Sequence, residues 1–178
     1  PGLPVFIYGH SLGGLITMTY TVQRRPEIAG QVASAPALDS ELRDQRVKFA
    51  LANLLGGVAP GIILPTGLDA DGVSRDPEVV AAYKADPLVH DKGSTGLAKQ
   101  TFAAMDAMMA QSSFPVPLLI IHGTADRLTV PEASKTFVNN VTGDVTLIEY
   151  DGMFHEPHNE PEQQEVFEDV HAWMESRL

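Results

Sequence analysis

The sequence contains no cysteine, which excludes disulfide scaffolds, thiolate nucleophiles and cysteine-ligated zinc sites together. Basic residues are scarce: 12 Lys and Arg stand against 23 Asp and Glu, for a formal net charge of −11. That balance argues against a nucleic-acid partner and against a polybasic membrane anchor. The acidity is uneven, since residues 141–178 hold ten acids and one base, Arg177. Apolar residues recur there at helical spacing, so the stretch reads as a solvated helix face rather than a disordered tail. Nothing before Ser11 has the make-up of a signal or transit segment. Residues 1–5 read instead as the entry into a strand, as though the sequence begins within a longer protein, so targeting is not read from this end.

Long apolar runs are also lacking, with one apparent exception. Residues 49–68 are uncharged over a length nominally able to span a bilayer. Gly56, Gly57, Gly61, Gly67, Pro60 and Pro65 would break a spanning helix and leave backbone groups unpaired in lipid. A helix followed by an apolar loop is the better reading, and such a loop suits transient contact with a membrane or micelle surface. This fits a cytoplasmic or peripherally membrane-associated protein.

What is present, 178 residues of which 44% are hydrophobic and 20% charged, suits one globular domain. Val5-Phe6-Ile7-Tyr8 is a short apolar run of the kind that forms a parallel strand buried on both faces. Residues 12–25 follow as a helix that should stop before Pro26. Further strands are expected at residues 31–35, 116–121 and 145–150, and helices at residues 131–140 and 161–178, each with proline near its first turn. Alternating strands and helices indicate an α/β fold with a parallel sheet. Between the second and third of these strands lies far more chain than a crossover needs. It carries helical patterns at residues 41–55, 77–84 and 95–112 and no convincing strand, and reads as an inserted helical cap. The resulting division is 1–39 and 113–178 for the core and 40–112 for the cap.

The chemistry begins at Gly9-His10-Ser11-Leu12-Gly13, a G-x-S-x-G sequence between an apolar strand and a helix. Glycines two positions either side of Ser11 permit a sharp turn that projects the hydroxyl at the carboxyl end of the strand. The helix that starts there favours negative charge near Ser11 and the Leu12 amide. A competing reading makes the turn a packing device with Ser11 as a helix cap. Neither G-x-G-x-x-G nor a lysine before the serine is present, so nucleotide-binding loops are excluded.

An activated serine needs a base, and the base an orienting acid. His122-Gly123-Thr124-Ala125-Asp126 places Asp126 past one strand, and Asp151-Gly152-Met153-Phe154-His155 places His155 past the next. Asp151 is the rival acid and His158 the rival base. Asp126 also suits a simple turn bond to the backbone. His10 and His122 sit at strand ends outside the base's place in the order, and His90 and His171 lie in the cap and the last helix.

Together these residues resemble the carboxyl-terminal half of an α/β-hydrolase of the monoacylglycerol lipase and lysophospholipase group. The elbow and the His-Gly-Thr-Ala-Asp segment are common to many such hydrolases. Ser34-Ala35-Pro36-Ala37, Asp86-Pro87-Leu88 and His155-Glu156 with Asn159-Glu160-Pro161 narrow the resemblance to the group. It implies a partial α/β-hydrolase fold with an inserted helical cap, and hydrolysis of esters of single acyl chains through an acyl-enzyme. Ser11 would be the nucleophile, His155 the base, Asp126 the orienting acid and the Leu12 amide one oxyanion donor, with no metal or organic cofactor called for. The same triad serves cofactor-free haloperoxidases, perhydrolases and C–C bond hydrolases, and a silent fragment acting as scaffold or interaction module is the non-enzyme alternative. In the group the second oxyanion donor follows an earlier strand, which would lie before Pro1, and strand 5–8 would be an exposed edge. The expectation is a missing amino-terminal half or a complementary chain that completes the sheet.

Overall fold

The computed structural model describes residues 2–40 and 54–178. Four parallel strands form the sheet: β1 (Phe6–His10), β2 (Gly30–Ser34), β5 (Leu118–Gly123) and β6 (Val145–Tyr150), in the order β1-β2-β5-β6. Helices accompany it, among the described residues α1 (Leu12–Arg24), α2 (Pro77–Ala85), α3 (Thr95–Met109), α4 (Pro131–Asn140) and α5 (Gln163–Glu175). The strands and helices expected for the core are present. α1 ends one residue short of Arg25, which turns into the left-handed region (φ 47°) ahead of Pro26 and donates its amide to Thr21.

The period of two in β5 organises the layers. Leu118 and Ile120 face one side with Leu15, Met18, Phe102 and Phe137, beneath α1, α3 and α4. Leu119 and Ile121 face the other with Val32, Val166 and Trp173, beneath α5. All four are fully buried, as expected of a parallel strand covered on both faces. β1 and β6 are the edge strands, and Val5, just before β1, and Tyr8, within it, are about half exposed.

The insertion departs from the all-helical expectation. β3 (Ile63–Pro65) and β4 (Lys92–Ser94) pair as a short antiparallel ribbon. Strands of three residues with a terminal proline and a glycine carry no alternation to read, which is why the sequence pattern misses them. The helices expected at residues 77–84 and 95–112 appear as α2 and α3. Of the helix expected at residues 41–55, residues 41–53 lie outside the described residues, and 54–58 are helical. Among the described residues no helix is long and apolar enough to cross a membrane.

Close approach rather than dihedral freedom fixes Gly123 at the end of β5. A Cβ there would stand 2.3 Å from the carbonyl oxygens of both Met153 and Phe154. Gly123→Ala therefore pushes on backbone that carries His155, and overpacking of this kind costs about 1–3 kcal/mol. The expected outcome is an unfolding free energy lowered by that amount in urea titrations, seen as a lower midpoint with an unchanged m-value, together with altered NMR shifts of the His155 ring. A Gly123→Ala chain matching the wild type in both measurements would contradict this account.

Candidate active site

Ser11 lies between the end of β1 and the start of α1 with φ 55° and ψ −124°, a backbone conformation unfavourable for a residue with a side chain. Surrounding bonds hold it there: its amide donates to the Ser34 carbonyl (2.9 Å), and its own carbonyl accepts from Leu15 (3.2 Å) and Ala37 (3.1 Å). The side chain makes no capping bond to the helix, so the hydroxyl is not consumed as an N-cap. Leu12 is the first residue of α1, and an amide there has no intrahelical acceptor.

The expected pair of glycines needs one correction. A Cβ at Gly9 would lie 2.3 Å from Thr17 Oγ1 and 2.5 Å from the Gly13 carbonyl oxygen, so the glycine is required. At Gly13 a Cβ would meet nothing, whereas at Gly14 it would meet Pro36 Cβ at 3.0 Å. The second steric demand of the elbow therefore falls one residue later than the G-x-S-x-G spacing suggests.

The loops after β5 and β6 bring Asp126 and His155 together. His155 Nδ1 lies 2.7 Å from Asp126 Oδ2, and both residues are buried. Asp126 Oδ1 accepts from the amides of Leu128 (2.7 Å) and Thr129 (3.1 Å). The turn bond and the bond to histidine are thus both made, one on each oxygen. Burial by itself would raise the Asp126 pKa. Hydrogen bonds from His122 and His155, the charge interaction with His155 and the Leu128 amide outweigh it and hold the carboxyl well below the usual range. An ionised Asp126 only accepts, so His155 donates through Nδ1, leaving Nε2 as the ring nitrogen available to a serine hydroxyl.

The rivals lie elsewhere. Asp151 is exposed and accepts from Thr124 Oγ1 (3.2 Å). His158 packs edge-on against His10, with ring centroids 4.8 Å apart, and its buried Nδ1 has no hydrogen-bond partner among the described residues. His10 stands between the two other imidazoles, 4.7 Å from the His155 ring, with Nδ1 3.2 Å from Ser34 Oγ. Burial, then the neighbouring His155 and His158, push the His10 pKa down to about 3. His158 is lowered too, chiefly by burial.

Two groups of supporting residues escape the sequence reading. His122 is fully buried with Nε2 3.1 Å from Asp126 Oδ2, and Thr129 Oγ1 donates to the same oxygen at 2.8 Å. The four-residue spacing of His122 and Asp126 was the available signal. Glu160, also fully buried, accepts from the Phe154 amide (2.7 Å), the Arg75 amide (3.2 Å) and Arg75 Nε (2.7 Å). The His155 and Glu156 amides donate to the Gly72 and Val73 carbonyls (3.3 and 2.8 Å). The insertion thereby braces the histidine loop from a distance of some 85 positions along the chain that no local pattern records. Among the described residues no group of His, Asp and Glu is arranged to hold a metal ion.

A family model described as Serine aminopeptidase, S33 matches residues 1–162. The chain is 43% identical over 181 residues to a monoacylglycerol lipase of Mycolicibacterium smegmatis, covering all of this chain and 64% of that protein. The crystal structure of Paleococcus ferrophilus monoacylglycerol lipase superposes with a TM-score of 0.92 at 36% identity, over 98% of this chain and 69% of that one. A soluble variant of the Saccharomyces cerevisiae monoglyceride lipase, in complex with a substrate analogue, gives 0.86 at 26% identity, over 99% and 63%. The chain thus spans about two thirds of the length of these relatives. A parallel sheet that ends its strands at a strained serine and a buried Asp–His pair, together with these likenesses, places the chain in the serine aminopeptidase S33 family of α/β-hydrolases, among its monoacylglycerol lipase-like members.

Proposed function

We propose that the protein containing this chain hydrolyses carboxylic esters of single acyl chains, monoacylglycerols foremost, with Ser11 as nucleophile, His155 as base and Asp126 as orienting acid. The observation that carries the reading is the buried 2.7 Å bond between His155 and Asp126, in a chain whose Ser11 at the end of β1 has a positive φ. In the proposed reaction His155 Nε2 takes the Ser11 proton as Oγ attacks the ester carbonyl. Asp126 holds the ring tautomer and stabilises the imidazolium. The Leu12 amide and the start of α1 donate to the developing oxyanion. His155 then protonates the departing alcohol, and in the second half activates the water that releases the acid.

The acyl chain finds apolar surface on the insertion. Leu54, Val58, Ile62, Ile63, Leu64 and Leu68 are all more than 40% exposed, so they form an apolar surface rather than a packed cap core. Phe49 and Leu51 lie outside the described residues. This surface supports contact with a lipid aggregate that presents the substrate.

A fluorophosphonate probe separates the roles. Labelling is expected for the wild type and absent for Ser11→Ala. His155→Ala should slow it by roughly 10⁶-fold, as for loss of the base in other serine hydrolases, and His158→Ala should retain it. Labelling that survives His155→Ala but not His158→Ala would transfer the base to His158. Rates of fatty-acid release from monoacylglycerol, compared with peracid formation from acetate and peroxide, separate ester hydrolysis from the perhydrolase chemistry of the same triad.

A neutral His10 keeps a second positive charge away from His155 when it becomes imidazolium, and that neutrality has a cost in acid. Its folded pKa of about 3 lies below the value of about 6.5 for a free histidine. Between these limits the unfolded chain binds the extra proton, so stability is full above pH 6.5 and declines as pH falls toward 3. His158 is shifted in the same direction. Urea midpoints measured from pH 7 to pH 4 should fall, and should fall less steeply in His10→Gln. Equal slopes in the two chains would show that His10 is not the group responsible.

A further inference from the structure

His122 is a buried imidazole that the proposed mechanism leaves unused, and its two nitrogens are both engaged: Nε2 lies 3.1 Å from Asp126 Oδ2 and Nδ1 lies 2.8 Å from Ser134 Oγ on α4. All of His122 and Ser134 is removed from solvent. We propose that His122 is a positioning residue that, backed by Ser134, sets how much of the Asp126 charge His155 receives. This rests on the roles given to Asp126 and His155 above.

The hydrogen-bond inventory sets the protons. Ionised Asp126 cannot donate, so His122 donates from Nε2, while its Nδ1 is hydrogen-bonded to the Ser134 hydroxyl. The chain Ser134, His122, Asp126 thus meets the bond from His155 at one oxygen. Three donors converge on Asp126 Oδ2: His122 Nε2, Thr129 Oγ1 at 2.8 Å and His155 Nδ1 at 2.7 Å. Leu128 and Thr129 amides occupy Oδ1. With Oδ1 pinned by backbone, the carboxylate cannot rotate to exchange its oxygens without breaking two bonds. The share of negative charge left for His155 depends on how many other donors draw on Oδ2. Ser134 in turn holds the His122 ring against flipping, because a flipped ring would point a C–H at Asp126. The ionisable groups within this shell are Asp126, His122 and His155, with His10 tilted against the His155 ring at 54° and His158 acting on His155 through its charge.

The test follows the His155 ring directly and does not depend on turnover. The Cε1 proton of His155 is titrated by NMR in the wild type, His122→Phe, His122→Gln and Ser134→Ala, and fluorophosphonate labelling is measured across the same pH range. Removing the donor in His122→Phe leaves more of the carboxylate's charge to His155. Its titration midpoint should rise by about one pH unit, within the range an ion-pair change produces, and plateau labelling should slow about tenfold. His122→Gln, whose Nε2 can reach Asp126, should restore both toward wild type. Ser134→Ala keeps the ring and should move both in the direction of His122→Phe by a smaller amount, which provides the reading if the phenylalanine variant does not fold. A midpoint and plateau rate unchanged in folded His122→Phe, or unchanged in Ser134→Ala where His122→Phe does not fold, overturn the proposal. A midpoint that shifts while the wild type shows no Ser11-dependent labelling upholds the hydrogen-bond arrangement and defeats the hydrolase reading instead.

Discussion

The buried carboxylate of Asp126 is the point on which the site depends. An isolated carboxylate in a protein interior is costly, and this one is made tolerable by donors from three directions. The backbone of its own turn, His122 in the strand behind it and His155 from the next loop all give it hydrogen bonds. Thr129, which also donates to it, lies 3.3 Å from the Ala35 carbonyl at the end of β2. The ends of β5 and β6 are therefore tied to one charge. The His155 ring held by such an anchor has little freedom to rotate.

A second buried carboxylate, Glu160, does for the histidine loop what Asp126 does for the histidine ring. It binds the Phe154 amide immediately before His155, and it pairs with Arg75 from the insertion. Arg75 also pairs with the exposed Glu162, an outer bond that water screens and that contributes little by comparison. The inner bonds matter because leaving a fully buried carboxylate unpaired is far costlier than losing a surface pair. Through them the insertion is part of the scaffold of the site.

The site could be read in advance to the extent that its chemistry is local. Ser11 was legible because the elbow is contiguous, and Asp126 and His155 because each follows an apolar strand closed by a turn. His122 was visible as a letter of the same segment, but nothing in the pattern said that its ring turns back upon Asp126 rather than outward. Glu160 looked like one of many acids in an acidic stretch, and its burial follows only from a partner far away in the chain. The β3–β4 ribbon was missed because six residues without alternation carry no period, and Gly14 because the crowding comes from Pro36 in the loop after β2.

The alternation of apolar runs and turns determined by itself the class of the fold and the order of its core elements, and the absence of cysteine excluded a thiolate nucleophile. These are properties of neighbouring residues: burial of a strand on both faces, a helix stopped by proline, a serine set in glycine. The tertiary structure alone decided which acid meets which histidine, that Asp126 divides its two oxygens between turn and histidine, and that the insertion braces the histidine loop. Those outcomes depend on distances between residues remote in sequence, where the energy of a buried charge selects its partners and local pattern has no part.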